Sequence, residues 1–447
     1  AAAAGWLRRA PASRARWAAV GLAVGALVVN GAWLVHAASR LERRGPLMAL
    51  TVAHELGAAA WAGGIAQLLV LWRLGRRRPE VAALWPVALR RFSWVALPAV
   101  GLIAASGGAL GWFYLGSWRG LAGTPYGALV MTKVVLFAAA VALGGLNFRF
   151  ARRWARRGTV PELRTRSPHY VEAEGLMLFA LLLAAAALTA QPPAVDMGTQ
   201  AATPAEVARV FAPKWPRLTS PSAEAVVAGQ PDALAPPGTP SPGDAWAEFN
   251  HNVAGIIVVA IALLGLAARR DVPGARHWPL GLAGLAVFLF FRNDPETWPL
   301  GPRGFWESMK DGGILQHRLA VLLACVLGVV EWRVRSRQGT ATRLAYLFPV
   351  LAFVGGVLLL THSHSAFEVK SDYLVQISHT ALGLLSMVVA CGRLLELRLA
   401  PSSGRLPGLA AALAMLAIGV ILTFYEEPQV ADAAARAGGV VVAALGR

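Results

Sequence analysis

Three of the chain's nine histidines fall in one stretch, Thr361–Leu385 (THSHSAFEVKSDYLVQISHTALGLL): His362, His364 and His379. Imidazole is the commonest metal-binding side chain and binds when neutral, so this cluster points first to metal chemistry. The spacing limits how it acts. Positions two apart on an α-helix point about 200° apart, so His362 and His364 share one ion only where a helix unwinds. Ser363, Ser365 and Ala366 suit such an ending.

The stretch joins two apolar runs, and such runs recur along the whole chain. Of 447 residues, 56% are hydrophobic and 15% charged, where a soluble protein carries about 25% charged residues. Apolar segments fall at roughly 17–38, 47–72, 92–113, 126–148, 171–190, 250–268, 277–292, 313–332, 344–361, 373–396 and 407–424. Each is read as a helix that crosses a bilayer. The expected fold is all-α, a polytopic integral membrane bundle of about eleven transmembrane helices; a short C-terminal segment, 430–445, would make a twelfth. The basic flank before Trp17–Ala38 also resembles a signal peptide ending near Ala37–Ser39, but the length of the run favours a retained first span.

About two thirds of the Lys and Arg residues lie in alternate segments, 1–16, 73–91, 149–170, 269–276, 333–343 and 393–406. The positive-inside rule then sets these in the cytoplasm, with the N-terminus, in the inner (plasma) membrane of a bacterium. It also accounts for the net charge of +18 without nucleic acid as a partner. Residues 191–247 are Pro- and Ala-rich and read as a periplasmic segment, with a short helix starting after Thr203-Pro204. They divide the chain into a five-span part, 1–190, and a six-span part, 248–447. Cys325 and Cys391 stand alone inside apolar runs and read as packing residues.

In this topology seven histidines share the outer third of the membrane or its rim: His36, His54, His251, His317, His362, His364 and His379. His169 and His277 lie at the cytoplasmic side. A single histidine at a span end is commonly an interfacial residue, and His36 is read so. Polar groups in hydrocarbon are costly and face a cavity or a partner, so the remaining six, His54, His251, His317, His362, His364 and His379, form the candidate metal-ligand set. Lys133, deep in its span, needs a partner or a place on a substrate path. Glu55 adjoins His54, and Trp61 follows it by seven residues on the same helix face; core packing is the ordinary reading of Trp61. Met309 is a soft donor between Glu307 and Asp311, read by default as packing.

Several motifs in the front part carry a family likeness. Arg91-Phe92-Ser93 opens a span, a Thr124-Pro125-Tyr126-Gly127 turn precedes Lys133 and Leu136, and Asn147 closes that span. His54, Trp61, Gly63 and Gly64 mark the preceding helix, and a closing span runs from Glu174 to Pro192. Over about residues 47–193 the chain resembles the copper resistance protein D (CopD) family. The resemblance implies an inner-membrane protein that handles periplasmic copper and moves it toward the cytoplasm. Copper, as Cu(I) or Cu(II), then becomes the expected metal, although zinc also suits imidazole.

The resulting expectation is a copper-binding membrane protein that takes periplasmic copper into a histidine-lined outer-leaflet site and transfers or transports it. Neither a P-loop nor a phosphorylatable Asp motif occurs, so transport would be passive or ion-coupled. A periplasmic copper chaperone is the candidate protein partner, although the chain has no Met-rich or His-rich repeat. Two readings compete. Histidines on facing helices also hold haem b axially, or a copper centre, in a membrane redox enzyme. The chain could equally deliver copper for assembly of another protein.

Overall fold

The computed structural model describes residues 13–229, 241–336, 343–361 and 369–427. Among them no β-strand forms; there is an isolated bridge between Thr297 and Arg303. Without water in hydrocarbon every backbone N–H and C=O must be satisfied within its own segment, and the α-helix does this for a single apolar run. Among the described residues, ten helices are long and apolar enough to cross a membrane. The chain is an all-α, polytopic membrane bundle. The Val430–Leu445 tail lies outside the described residues.

Two compact units are formed, one from Ala1–Leu121 and Leu129–Gly198, the other from Ala122–Ala128 and Thr199–Arg447. The first contains α1 (Arg14–Gly31), α2 (Arg44–Gly75), α3 (Trp85–Leu115), most of α4 (Pro125–Arg157) and α5 (Ser167–Thr189). Helix α2 runs along α3 and also packs on α5. In membranes small residues let helices approach closely, and Gly64 does so here: a Cβ there would stand 2.1 Å from the Phe92 ring. The two motif residues Gly64 and Phe92 are therefore one packing contact.

The second unit contains α6 (Pro204–Val210), α7 (Pro242–Ala268), α8 (Leu280–Arg292), α9 (Gly312–Ser336), α10 (Leu347–Thr361), α11 (Val369–Arg398) and α12 (Pro401–Thr423). Helix α12 packs between α7 and α11, α10 lies on α11, and α8 lies on α9. The expected short helix after Thr203 is α6. Its capping box is complete, with Glu206 N–H donating to Thr203 Oγ1 and Glu206 Oε2 accepting from Thr203 N–H. Lys370 Nζ then meets Glu206 Oε1 at 2.6 Å and ties α6 to α11. A small apolar core of Ala128, Ala202, Tyr373 and Leu374 lies beneath, flanked by Val207 and Val210.

The stretch expected to span at 277–292 is shorter than a full crossing. It forms a 3-10 turn, Ala275–His277, and then the 13-residue α8. Gly274 takes a left-handed φ of 76°, which only glycine adopts cheaply. Pro279 precedes the helix and Asp294-Pro295 follows it, so it is interrupted at both ends.

Candidate functional site

In the first unit His54 lies on α2, where its Nδ1 meets Ser106 Oγ of α3 at 3.1 Å. The Ser106 hydroxyl donates to Leu102 O, so its oxygen accepts from the ring. His54 therefore carries its proton on Nδ1, and Nε2 is the lone-pair nitrogen. A Cβ on Gly107 would come within 2.9 Å of His54 Cε1, so the ring sits where only a glycine leaves room. Seven residues on, Trp61 Nε1–H donates to Glu174 Oε1 at 2.9 Å, and Asn147 Nδ2–H reaches Glu174 Oε2 at 3.4 Å. Trp61, Asn147 and Glu174 are all buried, and the residue read as ordinary packing, Trp61, is a hydrogen-bond donor to a buried carboxyl.

In the second unit the structure brings His251 of α7 and His379 of α11 together, with ring centroids 6.2 Å apart and nearly perpendicular planes. His251 Nδ1 donates to Ala247 O at 2.8 Å, and His379 Nδ1 to Val375 O at 3.0 Å, each four residues earlier on its own helix. A carbonyl can only accept, so both rings hold a proton on Nδ1; in the neutral ring Nε2 is then the nitrogen with the lone pair. Metal-bound histidines characteristically donate the other ring N–H in this way.

The two asparagines of Phe249-Asn250-His251-Asn252 explain why His251 is held here. Asn250 Nδ2 donates to Arg292 O, and Arg292 Nε returns a bond to Asn250 Oδ1 at 3.1 Å. Asn252 Nδ2 donates to Leu422 O and Tyr425 O, at the end of α12. One turn further, a Cβ on Gly255 would lie 2.2 Å from Thr423 N, so α7 and α12 touch backbone to backbone. This contact sets the Tyr425 ring 4.3 Å from His251. Tyr425 in turn donates its hydroxyl to Glu427 Oε2 at 2.8 Å. Burial pushes the Glu427 carboxyl up to about 7; the Tyr425 bond opposes this, and the Asp244 and Glu248 charges add to it. Burial likewise pushes the Tyr425 phenol well up.

His317 lies on α9 of the second unit. Its Nδ1 donates to Asp294 Oδ1 at 2.8 Å, and the other oxygen, Asp294 Oδ2, is buried without a hydrogen-bond partner. Arg318 beside it donates to Phe290 O, Thr297 Oγ1 and Trp298 O. His362 and His364 lie outside the described residues. Among the described residues no group of three or more His, Cys, Asp or Glu is arranged to hold a metal. At the cytoplasm-assigned end, His169 donates to Glu172 at 3.0 Å, whereas both ring nitrogens of His277 face donors, Arg276 and Trp332.

Tyr425, Glu427, Ser106 and Glu174 did not stand out as site residues in the sequence. The separation of Asn252 from Tyr425 (173 residues) hides their pairing.

Fold and histidine geometry together describe a multi-pass, all-α membrane protein with buried polar side chains and oriented imidazoles. Residues 86–188 match the family model described as copper resistance protein D (CopD), so the likeness expected around this part of the chain is found. A stretch of 139 residues is 35% identical to the copper transport protein CutJ of Bacillus subtilis (strain 168), covering 31% of this chain and 24% of that protein. The chain thus spans about a quarter of the length of the curated relative it matches. No solved structure matches the chain. Part of this multi-pass membrane chain is thus similar to copper resistance and copper transport proteins. The matched segment contains Ser106, Lys133, Asn147 and Glu174, whereas His54 precedes it and the other candidate histidines follow it.

Proposed function

We propose that this protein sits in a bacterial inner membrane with its N-terminus in the cytoplasm, takes copper as cargo from the periplasmic face, and passes it on or across. The observation that carries the reading is the shared orientation of the four described candidate histidines. His54, His251, His317 and His379 each commit Nδ1–H to a carbonyl, hydroxyl or carboxylate. In its neutral form each ring would present Nε2 to an ion.

His251 and His379 are the pair that one ion would bridge. In a linear N–metal–N arrangement two metal–nitrogen bonds of about 2 Å each, plus the two ring radii, separate centroids by roughly 6 Å, which agrees with the 6.2 Å found. Imidazole pairs suit copper, and Asp244, Glu248 and Glu427 make the surroundings attractive to a cation. His54 and His317 are further stations for the ion. Transfer to or from a periplasmic chaperone fits the same exposure of the site to the outer face.

The test is copper content and visible spectrum of the purified full chain, wild type and His251→Ala with His379→Ala. Stoichiometric copper in the wild type, reduced at least tenfold in affinity by the double substitution, is expected. Unchanged copper binding in the double variant would overturn the assignment. A Soret band in the wild type would replace it with the haem-containing redox reading.

A further inference from the structure

The family-matched segment holds a buried acid that the histidine chemistry does not use. Glu174 is the eighth residue of α5, about 10 Å inside the helix end at 1.5 Å per residue, and is only 2% exposed. Its hydrogen-bond partners are neutral. Trp61 of α2 donates to Oε1, and Asn147 of α4 donates to Oε2. Trp61 is itself fixed by an edge-to-face contact with Phe137, centroids 5.5 Å apart. Gly144 packs directly on the carboxyl; a Cβ there would lie 2.9 Å from Oε1. From α2, Ile65 and Leu69 cover the neighbouring Gly175. The groups acting on the carboxyl are Trp61 and Asn147, neither of them titratable, and no charged side chain of α2, α4 or α5 is among them. Glu172 on the same helix is engaged with His169.

A carboxylate in hydrocarbon without a counter-charge is costly, and among the described residues this one has hydrogen bonds but no cation partner. A second observation lies beside it. Asn147 is 3% exposed, and its Oδ1 is buried with no donor. The same carboxamide therefore offers Glu174 an N–H on one side and an unused acceptor on the other. An ionised Glu174 takes the N–H. A protonated Glu174 supplies the missing donor once the amide turns over, a rotation about a soft sp³–sp² torsion.

We propose that Glu174, with Asn147 as its two-way partner, is a proton-exchange site in the core of the first unit. On loading, Oε2 gains a proton from hydronium at one face, the bond from Asn147 Nδ2 breaks, and Oε2–H donates to Asn147 Oδ1. On release the O–H bond breaks, the proton passes to water, and the amide returns. The bond from Trp61 to Oε1 is kept in both states and holds the carboxyl in place. The link of this exchange to copper movement rests on the transport reading above; the proton site itself does not.

The experiment is pH-difference infrared spectroscopy of the full chain in lipid nanodiscs. A protonated-carboxyl C=O band that titrates with pH is expected. It is absent in Glu174→Gln, and it shifts in Asn147→Ala, which removes the acceptor, and in Trp61→Phe, which removes the constant donor. The two latter variants keep the test readable if Glu174→Gln does not fold. No band sensitive to these substitutions between about pH 5 and 9 overturns the site. Copper is then added to proteoliposomes holding an internal pH dye. Wild-type uptake with a matching internal pH change, lost in Glu174→Gln while copper binding persists, supports the coupling, and uptake without a pH change overturns it. No copper uptake together with an intact infrared band overturns the transport reading and leaves the proton site standing.

Discussion

Glu206 and Glu427 lie outside the apolar spans and answer to acid in opposite senses. Burial alone would raise Glu206, but bonds from Lys370 and Thr203 and the Lys370 charge outweigh it and hold the carboxyl at about 2. A depressed folded value means that its stabilisation is present above the usual carboxylate range and is lost as pH falls from there through about 2. Glu427, near 7, keeps in the folded state a proton that the unfolded chain has already released. Its contribution therefore falls as pH rises from the usual carboxylate range through about 7. Thermal melting of the detergent-solubilised protein should show both. Glu427→Gln removes part of the loss between about pH 5 and 8, and Glu206→Gln removes part of the loss on the acid side. The histidines themselves were legible as candidates because imidazole in an apolar run is rare and costly. Their Nδ1 partners were not, because serine hydroxyls and helix carbonyls such as Ser106 and Val375 leave no mark in a sequence.

At the scale of the helices, position was readable and pairing was not. Long Ala- and Leu-rich runs between basic loops identify the spans through the cost of burying charge in lipid. Which helix touches which is decided by small residues, and a glycine among many alanines carries little information until its neighbour is known. Gly255 is the clearest instance, because its contact with Thr423 sets His251 on Tyr425. Gly255→Val should overpack this crossing, destabilise the protein by about 1–3 kcal/mol, and weaken copper binding at His251 and His379, measured by melting and by metal titration. Gly107→Ala should displace the His54 ring in the first unit and leave that titration unchanged. The start of α8 was also missed, since hydropathy registers the apolar run at 277–292 while Gly274 and Pro279 delay its helix to Leu280.

At the scale of the whole chain, each end of the second unit has its own electrostatic character. Far from the histidines along α7 and α11, Arg269 pairs with Glu396, and Arg393 bridges Glu396 and Glu331, with Arg335 also on Glu331. Glu331 is fully buried, so these side chains clamp α7, α9 and α11 together at the end assigned to the cytoplasm. Breaking a buried pair by removing one partner costs about 3–5 kcal/mol. Glu331→Gln should lower the melting temperature accordingly without altering copper content, whereas His251→Ala should do the reverse. The charge asymmetry of the loops was plain in the sequence. The clamp was hidden within it, because Arg269, Arg335 and Arg393 count toward orientation just as solvated arginines do.

The short α8 has a consequence for the lipid around the protein. Thirteen residues extend about 20 Å, against a hydrocarbon core of about 30 Å. Leu280, Val287 and Phe291 are exposed on its surface, so acyl chains are its neighbours. Such a mismatch is relieved by thinning of the adjacent leaflet. The headgroup plane would then dip toward the end of α8, where Asp294 holds His317. In the proposed orientation, an ion arriving from outside would meet that imidazole in a dimple of the bilayer.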